Sequence, residues 1–487
     1  MHLSSVIGDW VSVDRIDAVW FATSLVLTIA TIMFVGWVLK LSGLVLPNTG
    51  SCPTRDDLTG LCNRRFFHTQ VEKRLSTGKA SSLLFIDLDK FKQINDRLGH
   101  EAGDTVLKEI GARLDSVSQS VAGTAARLSG DEFAVLLPFS NHAGLSTFCA
   151  ELLASLREKV TYEADVIDPS VSIGVAQDHM IPEKLGRTFG TWARIADFAL
   201  YQAKSTGQTA CIFFDDLLLQ AFLERRAMMI ELPLALKRGN LDIFLQPKID
   251  LRTSATIGFE AYIRWLRDGS IVSPEQFLRV AEEGRIVTEI DKFTISKAAQ
   301  VVADWNRRNG TNFSVSVNLS PLTLPNEELG PCIEHALRAS GLAADKLVLE
   351  VSEPRERTDW AAAFAAVKKL REIGCKIAID NMGCEHSSLG FLIDLRADEI
   401  KIDRSIVAKI INGQPPEWLI CLMALARGLG LTAIAEGIET EAQREVIQMV
   451  GCTVAQGYLF AEPKFVDLAL ADTMPVGRRS TRLARAI

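Results

Sequence analysis

The sequence lacks several features that would place it in a specialised class of proteins. It has no basic excess, since 60 acidic residues against 53 lysines and arginines give a net charge of −7, and broad nucleic-acid binding is therefore not expected. Its nine scattered cysteines include no Cys-x-x-Cys pair, which indicates reduced thiols rather than a disulfide scaffold. With 48% hydrophobic and 23% charged residues in 487, the chain has the composition of roughly three ordinary globular domains.

An uncharged, mostly apolar run of 22 residues extends from Ala18 to Leu39. As a helix it would span roughly 33 Å, which is enough to cross a bilayer. A cleaved signal peptide and a buried soluble helix are the alternatives, but the leading segment is acidic, unlike that of a signal peptide. Lys40 and Arg55 follow the run, so the positive-inside rule predicts a single-pass protein of the inner (cytoplasmic) membrane with its domains in the cytoplasm.

Beyond an N-terminal segment and linker (1–50), the sequence predicts two domains and a tail. Interleaved strand and helix patterns over 51–215 indicate an α/β domain with an antiparallel-containing sheet. Over 216–475, eight short apolar runs each end on a polar or charged residue, which is typical of a (β/α)8 barrel with its site at one end. Another α/β sheet is the alternative for this region. Residues 476–487 form a basic tail, either solvated or in contact with anionic lipid.

Two acidic residues of the first domain stand where carboxylates can converge. Asp87 ends a predicted strand, and Asp131 lies in the tight turn Ser129-Gly130-Asp131-Glu132. Mg²⁺ prefers one or two carboxylates together with phosphate oxygens, and Gly130 would let a phosphate approach the backbone. Phosphate charge could be met by two lysines, Lys92 and Lys204. These residues suggest nucleotide phosphate chemistry on Mg²⁺, with a surface turn and unrelated charges as the alternative.

Four stretches of the first domain together resemble a GGDEF domain. They are residues 56–65, residues 86–104, the Ser-Gly-Asp-Glu-Phe turn and residues 199–204. That family condenses two GTP into cyclic di-GMP, so the resemblance implies GTP as substrate, Mg²⁺ or Mn²⁺ as cofactor and a homodimer. The implied metal ligands are Asp87, the Leu88 carbonyl and Asp131, with Glu132 beside them as a catalytic residue. The implied guanine-reading residues are Asn95 and Asp104, and the implied phosphate-binding residues are Lys92 and Lys204.

Three features of the first domain depart from the GGDEF pattern. Ser129 replaces the first glycine of the signature, although a small residue still leaves room for phosphate. Gln208 stands where the family often has a basic residue, which should weaken triphosphate binding. The product-inhibition motif would fall at Ser120 and Gly123 and is absent, so feedback through that site is not expected.

The predicted strand ends of the second domain bring acidic residues and one amide to one face. They are Glu260, Asn318, Glu350, Asp380, Asp403 and Glu436, accompanied by Lys401 and Gln246. Such a set could hold one or two divalent cations, and two metals about 3.5–4 Å apart suit in-line attack on a phosphodiester. A lysine beside them could orient the attacking water. Separate charges on the rim of a barrel are the alternative interpretation.

The second domain resembles an EAL domain over its full length. The matching stretches are residues 244–247, 317–321, 349–353, 395–404, 435–439 and 456–460. That family hydrolyses cyclic di-GMP to a linear dinucleotide. The resemblance implies a first metal on Glu260, Asn318, Glu350 and Asp380, further metal ligands at Asp403 and Glu436, catalytic roles for Lys401 and Glu260, and ligand contacts from Gln246, Arg264 and Gln456.

Two parts of the second domain depart from the EAL pattern. The signature triplet reads Glu260-Ala261-Tyr262, with tyrosine in place of leucine. The loop expected as Asp-Asp-Phe-Gly-Thr-Gly reads Asp380-Asn381-Met382-Gly383-Cys384-Glu385. Because the amide of Asn381 carries no formal charge, a second metal would be held poorly there. We expect hydrolysis to be weak or absent while the ligand pocket survives.

These observations predict a membrane-anchored diguanylate cyclase whose EAL barrel is catalytically impaired and acts as a nucleotide-binding regulator. One alternative is an active cyclic di-GMP phosphodiesterase, or a bifunctional enzyme, with a GTP-sensing GGDEF domain. The other is a receptor that binds cyclic di-GMP without catalysis. Asn381 separates these hypotheses: it argues against an active phosphodiesterase and is compatible with the other two.

Overall fold

The computed structural model describes residues 54–205, 210–353, 360–382, 389–410 and 413–473. The predicted membrane helix at 18–39, the basic tail at 476–487, Gln208, Cys384 and Glu385 lie outside the described residues. In the part of the chain that the structure describes, no helix is both long enough and apolar enough to span a membrane. The chain divides into two compact units between Phe222 and Leu223.

The first unit contains a mixed sheet and a small hairpin. Its strands are β1 (Cys62–Asn63), β2 (Ser82–Leu88), β3 (Thr124–Ser129), β4 (Glu132–Leu137), β5 (Val160–Tyr162), β6 (Asp165–Ile167), β7 (Val171–Gln177) and β8 (Cys211–Phe213). Its helices are α1 (Arg64–Ser76), α2 (Phe91–Leu98), α3 (His100–Ser120), α4 (His142–Leu156) and α5 (Phe189–Ser205), and α6 (Asp216–Arg238) contains the division between the units. Within the described residues the sheet has six strands in the order β1-β3-β4-β2-β7-β8, and β5 pairs with β6. Since β2 is antiparallel to both β4 and β7, the prediction of an antiparallel-containing α/β sheet is confirmed.

Hydrophobic cores lie on both faces of this sheet because successive side chains of a strand point to opposite sides. Leu84 of β2 packs in one core with Ile110 of α3 and residues of α4. Leu83, its neighbour in sequence, packs in the other core with Phe67 of α1 and Trp192 of α5. The apolar run of β2 is therefore buried on both sides, and its polar end is left at the edge of the layer.

The position of α5 depends on Gly174 of β7. A Cβ atom at Gly174 would lie 2.2 Å from the Leu200 nitrogen and 2.3 Å from the Ala196 carbonyl oxygen. Only a residue without a side chain lets helix and strand approach this closely. The close packing brings Lys204, near the end of α5, to Asp87 near the end of β2.

The second unit consists of strands alternating with helices. Its strands are β9 (Leu241–Asp250), β10 (Ala255–Arg267), β11 (Ser270–Val272), β12 (Ser314–Leu319), β13 (Leu347–Val351), β14 (Lys376–Met382), β15 (Glu399–Ile402), β16 (Thr432–Ala435), β17 (Val454–Ala455) and β18 (Lys464–Phe465). Its other helices are α7 (Pro274–Glu283), α8 (Val287–Asn309), α9 (Leu329–Ser340), α10 (Trp360–Ile373), α11 (Leu389–Leu395), α12 (Arg404–Val407), α13 (Glu417–Gly428), α14 (Glu441–Met449) and α15 (Val466–Ala471).

Strands β9, β10 and β12–β17 form a closed barrel, which confirms the predicted eight-stranded barrel within the described residues. From β10 through β12 to β17, each strand pairs in parallel with the next one along the barrel. The first strand differs from a regular (β/α)8 barrel because β9 is antiparallel to both β10 and β17. The reason is local: a tight turn over 251–254, with the Ser254 amide donating to the Asp250 carbonyl, joins β9 to β10 without a helix between them.

The barrel separates apolar and polar side chains by strand alternation. Phe259, Val317 and Leu349 belong to the core cluster shared with the surrounding helices. Their sequence neighbours Glu260 and Glu350 point to the interior and are 1% exposed. Alternation therefore collects the acidic residues of separate strands inside the barrel.

Candidate functional site

In the first unit, acidic residues and a lysine meet where β2 ends. Asp87 pairs in register with Glu132 of β4, and Lys204 Nζ lies 2.8 Å from Asp87 Oδ1. Burial raises the pKa of Asp87 to about 6 in spite of Lys204, and the charges of Asp131 and Glu132 add to the increase. The structure thus brings Asp87, Asp131, Glu132 and Lys204 together.

The turn between β3 and β4 presents Asp131. Gly130 has a φ of 45°, a left-handed conformation that glycine adopts without strain. The Arg127 guanidinium donates to the Gly130 carbonyl at 2.9 and 2.7 Å, which braces the turn. Ser129 Oγ donates to Glu132 Oε2 at 2.5 Å, so this departure from the signature engages one of the acidic residues directly.

The remaining predicted residues of the first unit lie at the end of β2 and on the two helices that follow it. Leu88 is the last residue of that strand, and the next residue, Asp89, accepts hydrogen bonds from Ser170 Oγ (2.6 Å) and Ser172 Oγ (2.8 Å) of the neighbouring chain segment. Lys92 and Asn95 lie on α2, and Asp104 lies on α3. A Cβ atom at Gly103 would lie 2.0 Å from Asn95 Oδ1, so the Asn95 amide packs against the residue that precedes Asp104.

In the barrel, the ammonium group of Lys401 lies among carboxylates from several strands. Its Nζ is 3.2 Å from Glu260 Oε2, 3.4 Å from Asp380 Oδ1 and 2.8 Å from Glu436 Oε1. It also donates to Glu350 Oε2. Lys401 is 2% exposed, so these interactions take place out of contact with bulk water and are screened little.

Burial and charge shift the pKa values of this cluster in opposite directions. Burial raises the pKa of Glu436 to about 8. The positive charge of Lys401 lowers this pKa, but the negative charges of the neighbouring carboxylates counteract that lowering. Burial also raises the pKa of Glu260, with the Glu350 charge adding to the shift. Glu350 behaves differently: although burial favours its protonated form, two buried lysines, Lys401 and Lys248, hold its pKa at about 2.

The donor set of the cluster suits a hard divalent cation. Carboxylates outnumber ammonium groups, and Asn318 adds an amide that donates through Nδ2 to Glu260 Oε1 at 2.8 Å. Mg²⁺ and Ca²⁺ prefer such oxygen ligands, so Glu260, Asn318, Glu350 and Asp380 would hold the cation. Among the residues that the structure describes, no group of three acidic, histidine or cysteine side chains is arranged around a metal position. In this cluster the Lys401 ammonium lies among the carboxylates, so a cation bound there would take over part of its charge-balancing role.

A cleft of ≈ 750 Å³ opens over this cluster. Its lining includes the predicted residues Gln246, Glu260, Arg264, Asn318, Asp380, Lys401, Asp403, Glu436 and Gln456. Asp403 has a further local role, since its side chain accepts from the Ser405 amide and caps α12. The cleft therefore combines an acidic floor with Arg264 on one wall, an arrangement able to bind a phosphate-containing ligand together with a divalent cation.

Comparisons with known proteins identify both units. The family model described as "Diguanylate cyclase, GGDEF domain" matches residues 54–210, and the model of the EAL domain matches residues 230–463. The chain belongs to the GGDEF–EAL family. The GGDEF domain thus holds the Asp87 site, and the EAL domain holds the Lys401 cluster.

Two curated relatives of this chain come from Pseudomonas aeruginosa. The chain is 31% identical over 423 residues to the bifunctional diguanylate cyclase/cyclic di-GMP phosphodiesterase MucR, and the match covers 86% of this chain and 61% of MucR. It is 31% identical over 414 residues to the cyclic di-GMP phosphodiesterase NbdA, and the match covers 84% of this chain and 52% of NbdA. The chain therefore spans between half and two thirds of the length of these relatives.

Among solved structures, the Vibrio cholerae LapD S helix-GGDEF-EAL protein bound to c-di-GMP has a similar fold. The TM-score is 0.57 at 20% identity, and the match covers 83% of this chain and 95% of that chain. At this identity the likeness shows the shared fold.

Sequence reasoning missed Lys248 in the EAL domain. Its Nζ donates to Ser316 Oγ and lies 3.1 Å from Glu350 Oε1, and the residue is 3% exposed. Glu350 is consequently held between two ammonium groups. The signal that could have found it is strand alternation, because Lys248 lies two residues after Gln246 and shares its inward face.

Asn381 has a defined local role in the EAL domain. It adopts a φ of 58°, a left-handed conformation that asparagine tolerates better than most residues. Its backbone amide donates to Asp380 Oδ1 at 2.9 Å, and its Nδ2 donates to Asp380 Oδ2 at 3.0 Å. The side chain that replaces the expected carboxylate therefore binds Asp380 as a donor.

Asp291 on α8 links the EAL core to the segment after Asn318. Its Oδ2 accepts from the Ser320 amide at 2.9 Å, and burial raises its pKa from the ordinary 3.8 to about 6, against the hydrogen bonds from Thr323 and Ser320. Because the pKa is raised in the folded state, the buried charge destabilises the fold above about pH 6, and this cost disappears below about pH 4.

Asp291→Asn should therefore raise the free energy of unfolding near pH 8, by up to about 3 kcal/mol, and leave it nearly unchanged near pH 4. The amide oxygen can still accept from Ser320. Urea unfolding at the two pH values measures this difference, with the exposed Asp345→Asn as control. An equal effect of Asp291→Asn at both pH values would contradict the assigned cause.

Proposed function

We propose that this protein acts in cyclic di-GMP signalling as a diguanylate cyclase, with an EAL domain that binds the nucleotide and hydrolyses it weakly. The GGDEF domain condenses two GTP into cyclic di-GMP and releases two pyrophosphates. The EAL domain serves as a regulatory module. The names of the relatives MucR and NbdA support turnover of this nucleotide.

The GGDEF half of the proposal is supported by the residues at the end of β2. Asp87 and Asp131 supply carboxylate oxygens of the kind Mg²⁺ prefers, and the Leu88 carbonyl is adjacent. Lys204, 2.8 Å from Asp87, could exchange this contact for a phosphate when a metal neutralises the carboxylate. A bound Mg²⁺ or Mn²⁺ would neutralise triphosphate charge. Because each domain would present one GTP, we also propose a homodimer.

The observation that carries the EAL half is the hydrogen bond from Asn381 Nδ2 to Asp380 Oδ2 at 3.0 Å. It occupies one oxygen of a proposed first-metal ligand. It also supplies no negative charge for a second cation, which two-metal phosphodiester hydrolysis requires. The single-metal donor set of Glu260, Asn318 and Glu350 is unaffected, so binding is favoured over turnover.

The test is to incubate the purified protein with GTP or with cyclic di-GMP in the presence of Mg²⁺ and to separate the products. Cyclic di-GMP formed from GTP, with little linear dinucleotide formed from cyclic di-GMP, is the expected result. Rapid hydrolysis without synthesis would overturn the proposal in favour of a phosphodiesterase. Binding of cyclic di-GMP with neither reaction would overturn it in favour of a receptor.

Asn381→Asp should increase phosphodiesterase turnover, by about tenfold or more, because it removes the donor from Asp380 and adds a charged ligand. Initial rates of linear dinucleotide formation measure the change. Asn309→Asp, at the end of α8 and away from the cleft lining, is the matched control. A fast wild-type rate that Asn381→Asp leaves unchanged would refute an impaired barrel.

An active phosphodiesterase is the second candidate, and one observation favours it. Lys401, the proposed partner of the attacking water, contacts Glu260, Asp380 and Glu436 within 3.4 Å. The acidic cluster is thus assembled in spite of Asn381. We further propose anchoring in the inner membrane through residues 18–39, a prediction that lies outside the described residues.

A further inference from the structure

Tyr262 lies at the surface of the EAL cleft, in front of two buried glutamines. Strand alternation along β10 places Tyr262 on the same face as Glu260 and Arg264. Gln246 and Gln456, expected to contact the ligand, are 4% and 2% exposed. Tyr262 is half-buried and lines the cleft. A ligand entering this end of the cleft would therefore meet the tyrosine before the glutamines.

The orientation of both glutamine amides is determined by partners that can only accept. Gln246 Nε2 donates to the Ala461 carbonyl at 2.9 Å, so its Oε1 points the other way. Gln456 Nε2 donates to Glu260 Oε2 at 2.6 Å. The Ala461 carbonyl has no proton to give, and Glu260 Oε2 already faces the Lys401 ammonium at 3.2 Å, so an amide flip at either position would bring two acceptors together.

These orientations determine what the Tyr262 hydroxyl can do. It donates to Gln246 Oε1 at 3.2 Å and accepts from Gln456 Nε2 at 2.8 Å. Gln456 Nε2 also lies 3.0 Å from Gln246 Oε1, but its two protons are taken by the two nearer acceptors, Glu260 Oε2 and the Tyr262 hydroxyl. The single proton of the phenol is therefore donated to Gln246 Oε1. Towards the cleft, the hydroxyl can therefore act only as a hydrogen-bond acceptor.

The ring of Tyr262 is held by a cation–π stack. The Arg264 guanidinium lies 5.6 Å from the centre of the Tyr262 ring and 4.9 Å from that of Phe244, within the range of such contacts. Arg264 also donates to the Ile263 carbonyl at 2.9 Å. Arg264 covers one face of the ring, and two hydrogen bonds fix the hydroxyl. The phenol is therefore preorganised and loses little conformational entropy when a ligand binds.

We propose that Tyr262 is a specificity-determining residue whose hydroxyl accepts a hydrogen bond from an N–H group of a guanine base of cyclic di-GMP. The inference rests on the proposed binding of this nucleotide by the EAL domain. A fixed acceptor selects a base edge that carries N–H donors, and the exocyclic amino group is such a donor in guanine. Leucine, expected from the EAL pattern at this position, could not make this contact.

The test is isothermal titration of the full-length protein with cyclic di-GMP and Ca²⁺, comparing wild type with Tyr262→Phe and Tyr262→Leu. Both variants should bind about tenfold more weakly, the change expected from one hydrogen bond to the ligand. Tyr162→Phe removes a hydroxyl from β5 of the GGDEF domain and should leave the affinity unchanged. Melting temperatures of the ligand-free proteins establish that the variants are folded.

A crystal structure of the wild-type complex separates ligand contact from support of the glutamines. A guanine nitrogen within about 3.2 Å of Tyr262 Oη is expected. A complex in which the hydroxyl faces no ligand atom would overturn the inference, even if Tyr262→Phe binds weakly. Wild-type affinity in both Tyr262 variants would also overturn it while leaving the proposed function intact. No binding by the wild type would overturn both.

Discussion

Replacing Lys401 with methionine should lower the free energy of unfolding of the EAL domain by about 3–5 kcal/mol, the usual cost of removing one partner from a buried ionic cluster. Lys401 is 2% exposed and contacts Glu260, Asp380 and Glu436 within 3.4 Å. Methionine preserves much of the side-chain volume but leaves these carboxylates to repel one another. Some of them would then have to take up protons or a cation to remain buried.

Urea unfolding of the full-length protein, followed by tryptophan fluorescence, measures this effect. Lys464→Met is the matched control: its ion pair with Asp472, at 2.9 Å, lies at the surface, and removing such a pair usually changes stability by at most about 1 kcal/mol. Millimolar Mg²⁺ should partly restore the stability of Lys401→Met, because a cation can replace the lost ammonium charge. Equal small effects of both substitutions would show that the cluster contributes no special electrostatic stability.

The second large expected effect is the loss of cyclic di-GMP synthesis in Asp131→Ala, by about 100-fold or more. Losing a partner outside the metal's own ligands already costs about 10–100-fold at metal sites, and Asp131 is a proposed ligand. Asp131 lies in the turn between β3 and β4, next to Asp87, whose pKa of about 6 its charge helps to raise. Alanine removes one of the two carboxylates proposed as Mg²⁺ ligands at this site. The turn itself should persist, because Gly130 and its hydrogen bonds from Arg127 are retained.

Product formation from GTP, at equal protein concentration, tests this prediction. Asp165→Ala removes an exposed carboxylate from β6 of the same domain and should synthesise at the wild-type rate. Normal output from Asp131→Ala would refute the assigned metal site. A melting temperature equal to that of the wild type establishes that lost activity reflects the site rather than unfolding.

Much of the fold follows from local patterns in the sequence. Apolar runs that end on polar residues predicted the strands that carry Glu260, Asn318, Glu350 and Asp380, because strand alternation is a local property of the backbone. The direction of β9 could not be read in this way. A run of apolar residues has the same pattern in either direction, and only the short turn to β10 and closure against β17 make β9 antiparallel.

The sequence by itself therefore determined the family, the order of the two domains and the identity of the acidic residues. Only the tertiary structure decided which of these residues share one charge environment. Lys401 contacts carboxylates from four other strands or strand ends, Lys248 holds the far side of Glu350, and Tyr262 is pinned by two glutamines. Those partners are far apart along the chain, and the register of a closed barrel, rather than any local pattern, brings their side chains within hydrogen-bond distance.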